Sequence, residues 1–101
     1  MTLRITDRAI DEVRQAVFRY SSKSANRVDS FLKNYRRAIE RILANPRTYP
    51  LEEIDEGGEI RSISVDKFPF SVVYEVGEHE IVMIALWHQH GRSEDWSRRE
   101  A

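Results

Sequence analysis

The chain has 101 residues and is 41% hydrophobic, which is enough apolar material for one domain with one core. It contains no cysteine, so disulfides and thiolate metal sites are excluded. No apolar run approaches the roughly 20 residues that a transmembrane helix needs, and residues 1–5 lack the apolar core of a secretion signal. We therefore expect a single cytoplasmic domain over residues 1–101, without a membrane partner.

Charge is divided unevenly along the chain, although the formal net charge is only −1. Residues 1–50 contain 11 Lys and Arg against 5 Asp and Glu, a net of +6, whereas residues 51–101 contain 5 against 12, a net of −7. This separation favours a basic face that contacts an acidic partner. The alternative is that the charges only keep helix faces in water.

The chain opens with a predicted strand that leads into a helix. Leu3 and Ile5 alternate with polar residues, as in a strand that could pair with a later sheet. Thr6 or Asp7 can cap the following helix by accepting a hydrogen bond from a free amide of its first turn. Apolar residues then recur at three- and four-residue steps over residues 9–20, which predicts an amphipathic helix.

A second amphipathic helix is predicted after a serine-rich break at residues 21–24, where Ser24 is a cap candidate. Apolar residues keep helical phase from 28 to 43. Asn45 and Pro46 end the helix, because asparagine tolerates a left-handed cap and proline cannot continue the hydrogen-bond ladder. The short connection makes the two helices an antiparallel hairpin.

The second half predicts three antiparallel strands. Residues 46–59 favour a loop, from which the glycine pair at 57–58 turns into the first strand, at 60–65. Residues 70–76 alternate in polarity, and residues 81–87 are apolar throughout, which is typical of a strand buried on both faces. The predicted fold is α+β: an N-terminal strand and helical hairpin packed on a small antiparallel sheet as a two-layer sandwich, in the order β-α-α-β-β-β.

Further residues stand in the order and spacing of a known family: Arg61, Phe68-Pro69-Phe70, Val72-Val73-Tyr74, Leu86-Trp87-His88, Arg92, Trp96 and Arg98. Together with the hairpin that ends in Asn45-Pro46, they resemble the RelE/ParE superfamily of toxins from bacterial type II toxin–antitoxin systems. The resemblance covers nearly the whole chain. It implies a small growth-inhibiting toxin of a plasmid-stabilisation system, whose cognate antitoxin wraps and neutralises it.

The superfamily divides by activity. RelE-like members cut messenger RNA in the ribosome with basic residues on the first strand after the hairpin and near the end of the last strand. The first-strand positions fall here on Ser62, Ser64 and Asp66, none of which is basic. Cleavage at a 2′-hydroxyl needs a group that activates the nucleophile and cations that offset phosphate charge, and these side chains provide neither.

The chain also lacks the strongly basic composition that favours docking on ribosomal RNA. The resemblance therefore implies the ParE-like branch, which binds a cellular target such as DNA gyrase. Two alternatives stay open: a RelE-like, ribosome-dependent messenger RNA endonuclease, and a non-toxic orphan member. Enzymatic activity is thus undecided by the sequence, and we expect no sequence-specific DNA binding by the chain alone.

The family pattern implies a target-contact set at the sheet edge and in the C-terminal tail: Arg61, His88, Arg92, Trp96 and Arg98. Arg61 has an alternative role, in which it lies over apolar surface and pairs with an acid from the loop. For Trp96 the alternative is a lid on the core. If the chain is a nuclease, His88, His90 and Arg92 would replace the missing basic set, since imidazole exchanges protons near neutral pH.

Two histidines without a third ligand are weak grounds for zinc, so we predict no metal site and no cofactor. The exposed arginines of the hairpin predict an antitoxin-binding surface, where they would steer an acidic segment of the antitoxin: Arg14, Arg36, Arg37 and Arg41. Ordinary helix solubility is the alternative explanation for these charges.

Overall fold

The computed structural model describes residues 1–90. In this part of the chain the elements are β1 (Thr2–Ile5), α1 (Asp7–Ser21), α2 (Ala25–Ala44), β2 (Leu51–Asp55), β3 (Gly58–Ser64), β4 (Phe70–Val76) and β5 (Glu80–His88). The strands form one sheet in the order β1-β5-β4-β3-β2. The helical hairpin packs on one face of this sheet through the main apolar core, which makes the two-layer α+β fold that the sequence predicts.

Both helices begin at predicted caps. The side chains of Thr6 and Ser24 each accept a hydrogen bond from a backbone amide of the first turn, at 3.2 and 3.1 Å. The predicted left-handed cap at the end of α2 is wrong, because Asn45 has a φ of −148°. The helix ends because Pro46 offers no amide hydrogen to the next rung. Neither helix combines the length and the apolar character needed to cross a membrane.

Strand β2 corrects the prediction of a loop over residues 46–59. It lies at the edge of the sheet, pairs antiparallel with β3, and only Glu53 at its centre is half-buried. A strand exposed on both faces has no apolar alternation, so periodicity cannot detect it. The turn that follows is built as predicted: Asp55 accepts hydrogen bonds from the amides of Gly57 and Gly58 at 2.9 and 3.1 Å, and Gly58 has a φ of 138°.

The sheet is mixed, which corrects the prediction of a purely antiparallel one. β1 pairs with β5 in parallel, with Leu3 opposite Ile81 and Ile5 opposite Met83, whereas all other pairs are antiparallel. A parallel neighbour needs a long crossover, and here the hairpin and three strands lie between the two strands in sequence. The side-chain pattern of a four-residue strand does not report the direction of its partner.

An aromatic cluster joins the hairpin to the sheet. Tyr20 of α1 and Phe31 of α2 pack against Phe68 and Phe70, with ring centroids 5.1 to 6.4 Å apart and mostly edge-on geometry. Phe31 is completely buried. The cluster therefore fixes the α1–α2 connection over the β3–β4 turn and sets the geometry of this end of the molecule.

The face of the sheet turned away from the helices carries a second apolar cluster. Its buried members are Ile60, Val73, Val82, Ile84 and Ala85, and Trp87 packs against them. The residues of β5 from Ile81 to Leu86 are all buried. The continuous apolar run of this strand is thus explained by burial on both of its faces, as predicted.

Candidate functional site

Helix α1 and the C-terminal end of β5 enclose a slot of about 320 Å³. Glu12 joins α1 to β5 at this slot, because its carboxylate accepts a hydrogen bond from the backbone N–H of Leu86 at 3.2 Å. β1 ends at Ile5, opposite Met83, so this part of β5 extends beyond its parallel neighbour. A side chain of α1 thus provides the acceptor that a strand would otherwise provide. The lining residues are Glu12, Gln15, Ala16, Arg19, Phe70, Leu86, Trp87 and His88.

His88, predicted to contact the target, lies in this slot. Its ring packs edge-on against Phe70, with centroids 5.3 Å apart. Its Nδ1 accepts the backbone N–H of His90 at 3.2 Å, and the two imidazole rings lie 5.2 Å apart. Because Nδ1 is the acceptor, the neutral ring carries its proton on Nε2. His88 is therefore held in one orientation, whereas His90 is exposed.

Arg19 lines the slot with His88, although the sequence did not place it in the target-contact set. The spacing could have indicated this position, since Arg19 follows Glu12 by seven residues and therefore lies two helical turns further along the same side of α1. Among the described residues, the slot thus has one arginine opposed by one carboxylate, that of Glu12, and little net positive charge.

The β3 positions where RelE-like toxins carry basic residues are engaged in ordinary hydrogen bonds. Ser62 donates to a carboxylate oxygen of Glu52 at 2.9 Å. Gln89 donates to Ser64 at 3.3 Å and to Ser71 at 3.4 Å. These contacts form a polar row of side chains at this end of the sheet, in which the Ser62 and Ser64 hydroxyls are both engaged in hydrogen bonds.

Arg61, also predicted to contact the target, is bound inside the protein, with its side chain 14% exposed. Its guanidinium donates to the Tyr49 carbonyl at 2.6 Å and, through two nitrogens, to one oxygen of Glu59 at 3.3 and 3.1 Å. Pairing with an acid of the predicted loop is the alternative that the sequence left open. A contact between Arg61 and a target stays a prediction.

Tyr74 ties down the same segment after α2. Its hydroxyl donates to the Pro46 carbonyl at 2.7 Å, and its side chain is fully buried. Burial raises the pKa of Tyr74 to about 12, against a smaller lowering by the Arg61 charge and a further rise from Tyr49. The phenol is therefore a protonated donor at neutral pH. Arg61 and Tyr74 together fasten residues 46–49 to the sheet.

Replacing Arg61 by alanine is expected to lower the free energy of unfolding by about 1–3 kcal/mol, because the partly buried Tyr49 carbonyl loses its donor and Glu59 keeps only the exposed Arg47. Urea denaturation measures this. Arg47→Ala is the matched control: Arg47 contacts the same Glu59 oxygen at 3.3 Å, but its side chain is 53% exposed. Its loss should cost less than about 1 kcal/mol. Equal costs for the two variants would contradict a structural role of Arg61.

Glu75 of β4 places a carboxyl in a confined position. It is 9% exposed and shares a side-chain hydrogen bond with Asp55. It lies so close beneath Gly57 that a methyl group there would collide with it. Burial raises the pKa of Glu75 to about 7, and the hydrogen bond to Asp55 and the charge of Asp55 add to this rise. A cavity borders Glu75, and the other titratable side chains that line it are those of Arg4, Glu78, His79 and Glu80.

A Glu75→Gln variant is expected to remove one pH dependence of stability. The folded state raises the pKa of Glu75 from 4.5 to about 7 and so binds its proton more tightly than the unfolded state does. This contribution is complete below pH 4.5 and is lost as the pH rises through 7. Relative to Glu75→Gln, the wild type should lose roughly 1–3 kcal/mol between pH 5 and pH 8.

Thermal denaturation across this pH range measures that difference. Glu78→Gln is the control, because the Glu78 side chain is 92% exposed on the neighbouring turn. The stability difference between the wild type and this control should stay constant with pH. A constant difference between the wild type and Glu75→Gln as well would show that Glu75 titrates like a solvent-exposed acid.

The arginines predicted to bind the antitoxin are all exposed on the hairpin. Arg14, Arg36 and Arg37 form no ion pair within residues 1–90. Arg41 pairs with Asp66 at 3.4 Å. Leu43, on the last turns of α2, is 47% exposed and adds apolar surface to the hairpin. The role of these arginines in antitoxin binding stays a prediction.

Three predicted target-contact residues, Arg92, Trp96 and Arg98, lie outside the described residues. Within residues 1–90 no group of three or more His, Asp and Glu side chains converges in a way that could hold a metal ion. The described site thus consists of the slot with His88, Arg19 and Glu12 and the polar row of β3 beside it.

Comparison with known proteins gives this fold and site a class. A family model described as "ParE toxin of type II toxin-antitoxin system, parDE" matches residues 3–92. A solved structure, a chromosomal ParDE TA system from P. aeruginosa, matches with a TM-score of 0.61 at 17% sequence identity, over 87% of this chain and 95% of that chain. No curated protein matches the sequence. The class is therefore the toxins of type II toxin–antitoxin systems.

Within that class the chain belongs to the ParE toxin family, since the family model covers most of its length. The likeness to the P. aeruginosa structure independently supports the fold, and at this level of identity it supports the fold alone. The ParE-like branch that the sequence predicts is thus confirmed.

Proposed function

We propose that this chain inhibits growth by binding a cellular target, DNA gyrase, in the cytoplasm, and that a cognate antitoxin encoded beside it neutralises it in a plasmid-stabilisation system. The observation that carries this proposal is the ParE family match over residues 3–92. The family match favours binding over cleavage as the mode of action. The geometry of the slot supports the same choice.

The described residues offer a surface for capture rather than a centre for cleavage. In the slot, His88 faces one arginine and one carboxylate, and the Ser62 and Ser64 hydroxyls are engaged in hydrogen bonds with neighbouring side chains. An amphipathic slot with a fixed imidazole, an aromatic wall and one cation is suited to a side chain of a protein partner. We infer that His88 and Arg19 contact the target there.

The outer surface of the hairpin is the expected site of the antitoxin. Arg14 and Arg36 are exposed and unpaired within residues 1–90, and both stand next to half-buried apolar residues of their helices. Such cations raise the association rate of an acidic segment, and the apolar surface, including Leu43, would then stabilise the bound helix or strand.

Controlled expression tests the proposed function. Induction of this chain alone is expected to arrest growth, and co-expression of the small open reading frame beside its gene is expected to restore it. A strain that grows normally while it makes folded, soluble chain would refute toxicity and favour a non-toxic orphan member. Binding of the neighbouring product without any toxicity would identify such a member directly.

The RelE-like alternative is decided by primer extension on translated messages after induction. New 5′ ends at the position of the ribosomal A site would establish messenger RNA cleavage and refute the binding mechanism. Growth arrest with intact messages would support the binding mechanism. His88→Ala adds a second readout, because under the binding mechanism it weakens toxicity without changing any RNA.

A further inference from the structure

Three exposed cations lie on the segments that meet at an aromatic pair at one end of the molecule, and we call them the basic end: Lys23, Arg27 and Lys67. The guanidinium carbon of Arg27 lies 4.9 Å from the ring centroid of Phe68 and 5.6 Å from that of Tyr20. The two ring centroids are 5.1 Å apart. The amide of Lys23 donates to the Tyr20 carbonyl at 2.9 Å, and Lys67 directly precedes Phe68.

The charges of the basic end are not neutralised within the described chain. Lys23, Arg27 and Lys67 form no ion pair with any residue among 1–90. The acid beside Lys67, Asp66, is already paired with Arg41 at 3.4 Å. A group of acidic residues lies around the turns at the opposite end of the sheet: Asp55, Glu56, Glu59, Glu78 and Glu80.

Lys67 occupies a backbone position that costs stability. Phe68 donates to the Val65 carbonyl at 3.1 Å, and Lys67, the third residue of this turn, has a φ of 70°. Turns of this kind favour glycine or asparagine there, and another residue destabilises the turn. Within residues 1–90 the lysine gains no ion pair in return. Strain of this kind at an exposed cation points to a contact outside the chain.

We propose that the basic end binds a short acidic segment of a partner polypeptide, with Lys23, Arg27 and Lys67 each contacting carboxylates. The ring contacts restrain the Arg27 guanidinium, so it loses less freedom on pairing, and its planar donors suit a carboxylate. We assign this segment to the target of the toxin, and that assignment rests on the proposed function. The binding of an acidic peptide by the basic end does not depend on the proposed function.

Two observations favour a polypeptide over a nucleic acid. Proteins that bind single strands stack bases on exposed aromatic rings, but Tyr20 and Phe68 are only 7% and 5% exposed. A polyanion that extends along the molecule would also meet the acidic turns at the far end. The footprint is therefore a few negative charges long, as in an acidic peptide segment.

Fluorescence anisotropy with a labelled peptide of alternating glutamate and serine tests the proposal. An oligothymidylate with the same number of negative charges is the comparison ligand. The Lys23→Gln/Lys67→Asn variant should weaken peptide binding by about 3- to 30-fold at low salt, and the wild-type affinity should fall as salt is added. Asparagine tolerates the left-handed conformation of position 67, so this variant keeps the turn.

The matched control is Arg8→Gln/Lys33→Gln, which removes the same charge from exposed positions elsewhere on the hairpin and should change the affinity less than about twofold. Equal losses in the two variants, no loss in the first, or tighter binding of the oligothymidylate would each overturn the proposal. If expression of the chain fails to arrest growth while the peptide result holds, only the assignment of the segment to a toxin target falls.

Discussion

Replacing Phe31 by alanine is expected to lower the free energy of unfolding by about 3–5 kcal/mol, because the ring is completely buried and the vacated space cannot fully collapse. Phe31 contacts Tyr20, Phe68 and Phe70, so its loss removes the centre of the cluster that joins both helices to the sheet. Urea denaturation followed by circular dichroism measures the change.

The control for this variant is Phe18→Ala on the outer face of α1. The Phe18 side chain is 79% exposed, so its removal should change stability by less than about 0.5 kcal/mol. A similar, small effect of Phe31→Ala would show that the hairpin does not depend on the aromatic cluster. In that case contacts other than the aromatic cluster would have to hold the hairpin in its orientation over the sheet.

Gly58→Ala is expected to destabilise the fold by at least about 2 kcal/mol, because two independent constraints act at this position. Its φ of 138° is strained for any residue with a Cβ, and an added Cβ would collide with the Val76 carbonyl. A backbone atom cannot move aside as the end of a flexible side chain can. The variant should pull the β2–β3 turn away from β4, which hydrogen exchange of the β3 amides would detect.

Gly77→Ala is the matched control on the facing turn. A Cβ at this position would come within 3.2 Å of the Gly57 carbonyl, a tight contact that a small shift relieves, and its φ lies outside the left-handed region. We expect it to cost less than about 1 kcal/mol. If Gly77→Ala cost as much as Gly58→Ala, crowding between the two turns rather than backbone conformation would be decisive.

The sequence predicted the elements whose causes are local. The caps at Thr6 and Ser24 depend on hydrogen bonds to amides three residues away, so their sequence context is sufficient. The two apolar helix stripes and the apolar run of β5 reflect burial, which periodicity records directly. The parallel pairing of β1 and the edge strand β2 depend on distant backbone partners, and no side-chain pattern encodes them.

The candidate site was predicted less completely than the fold. His88 was placed at the end of the last strand, and the structure puts it in the slot. Arg19 escaped because it comes from a helix whose orientation relative to β5 depends on tertiary packing. Arg61 shows the same limit: the sequence offered pairing with a loop acid as one alternative, but only the fold reveals the Tyr49 carbonyl, 12 positions away, that binds it.

The basic end was visible in the sequence only as a surplus of cations in the first half. The fold brings the turn that carries Lys67, from the acidic half, against Arg27 through Phe68, so the surface combines residues from both halves of the chain. It also separates this surface from the acidic turns at the other end of the sheet. Charge counting along the chain therefore predicted that a surface would be positively charged, but not which residues form it.

A supercoiling assay with purified chain and DNA gyrase tests most directly whether this protein acts by binding its target. We expect supercoiling to fall as the chain is added, the antitoxin to restore it, and His88→Ala to weaken the inhibition while the chain stays folded. Undiminished supercoiling, together with cleavage of messenger RNA on translating ribosomes by the same preparation, would refute gyrase binding as the mode of action.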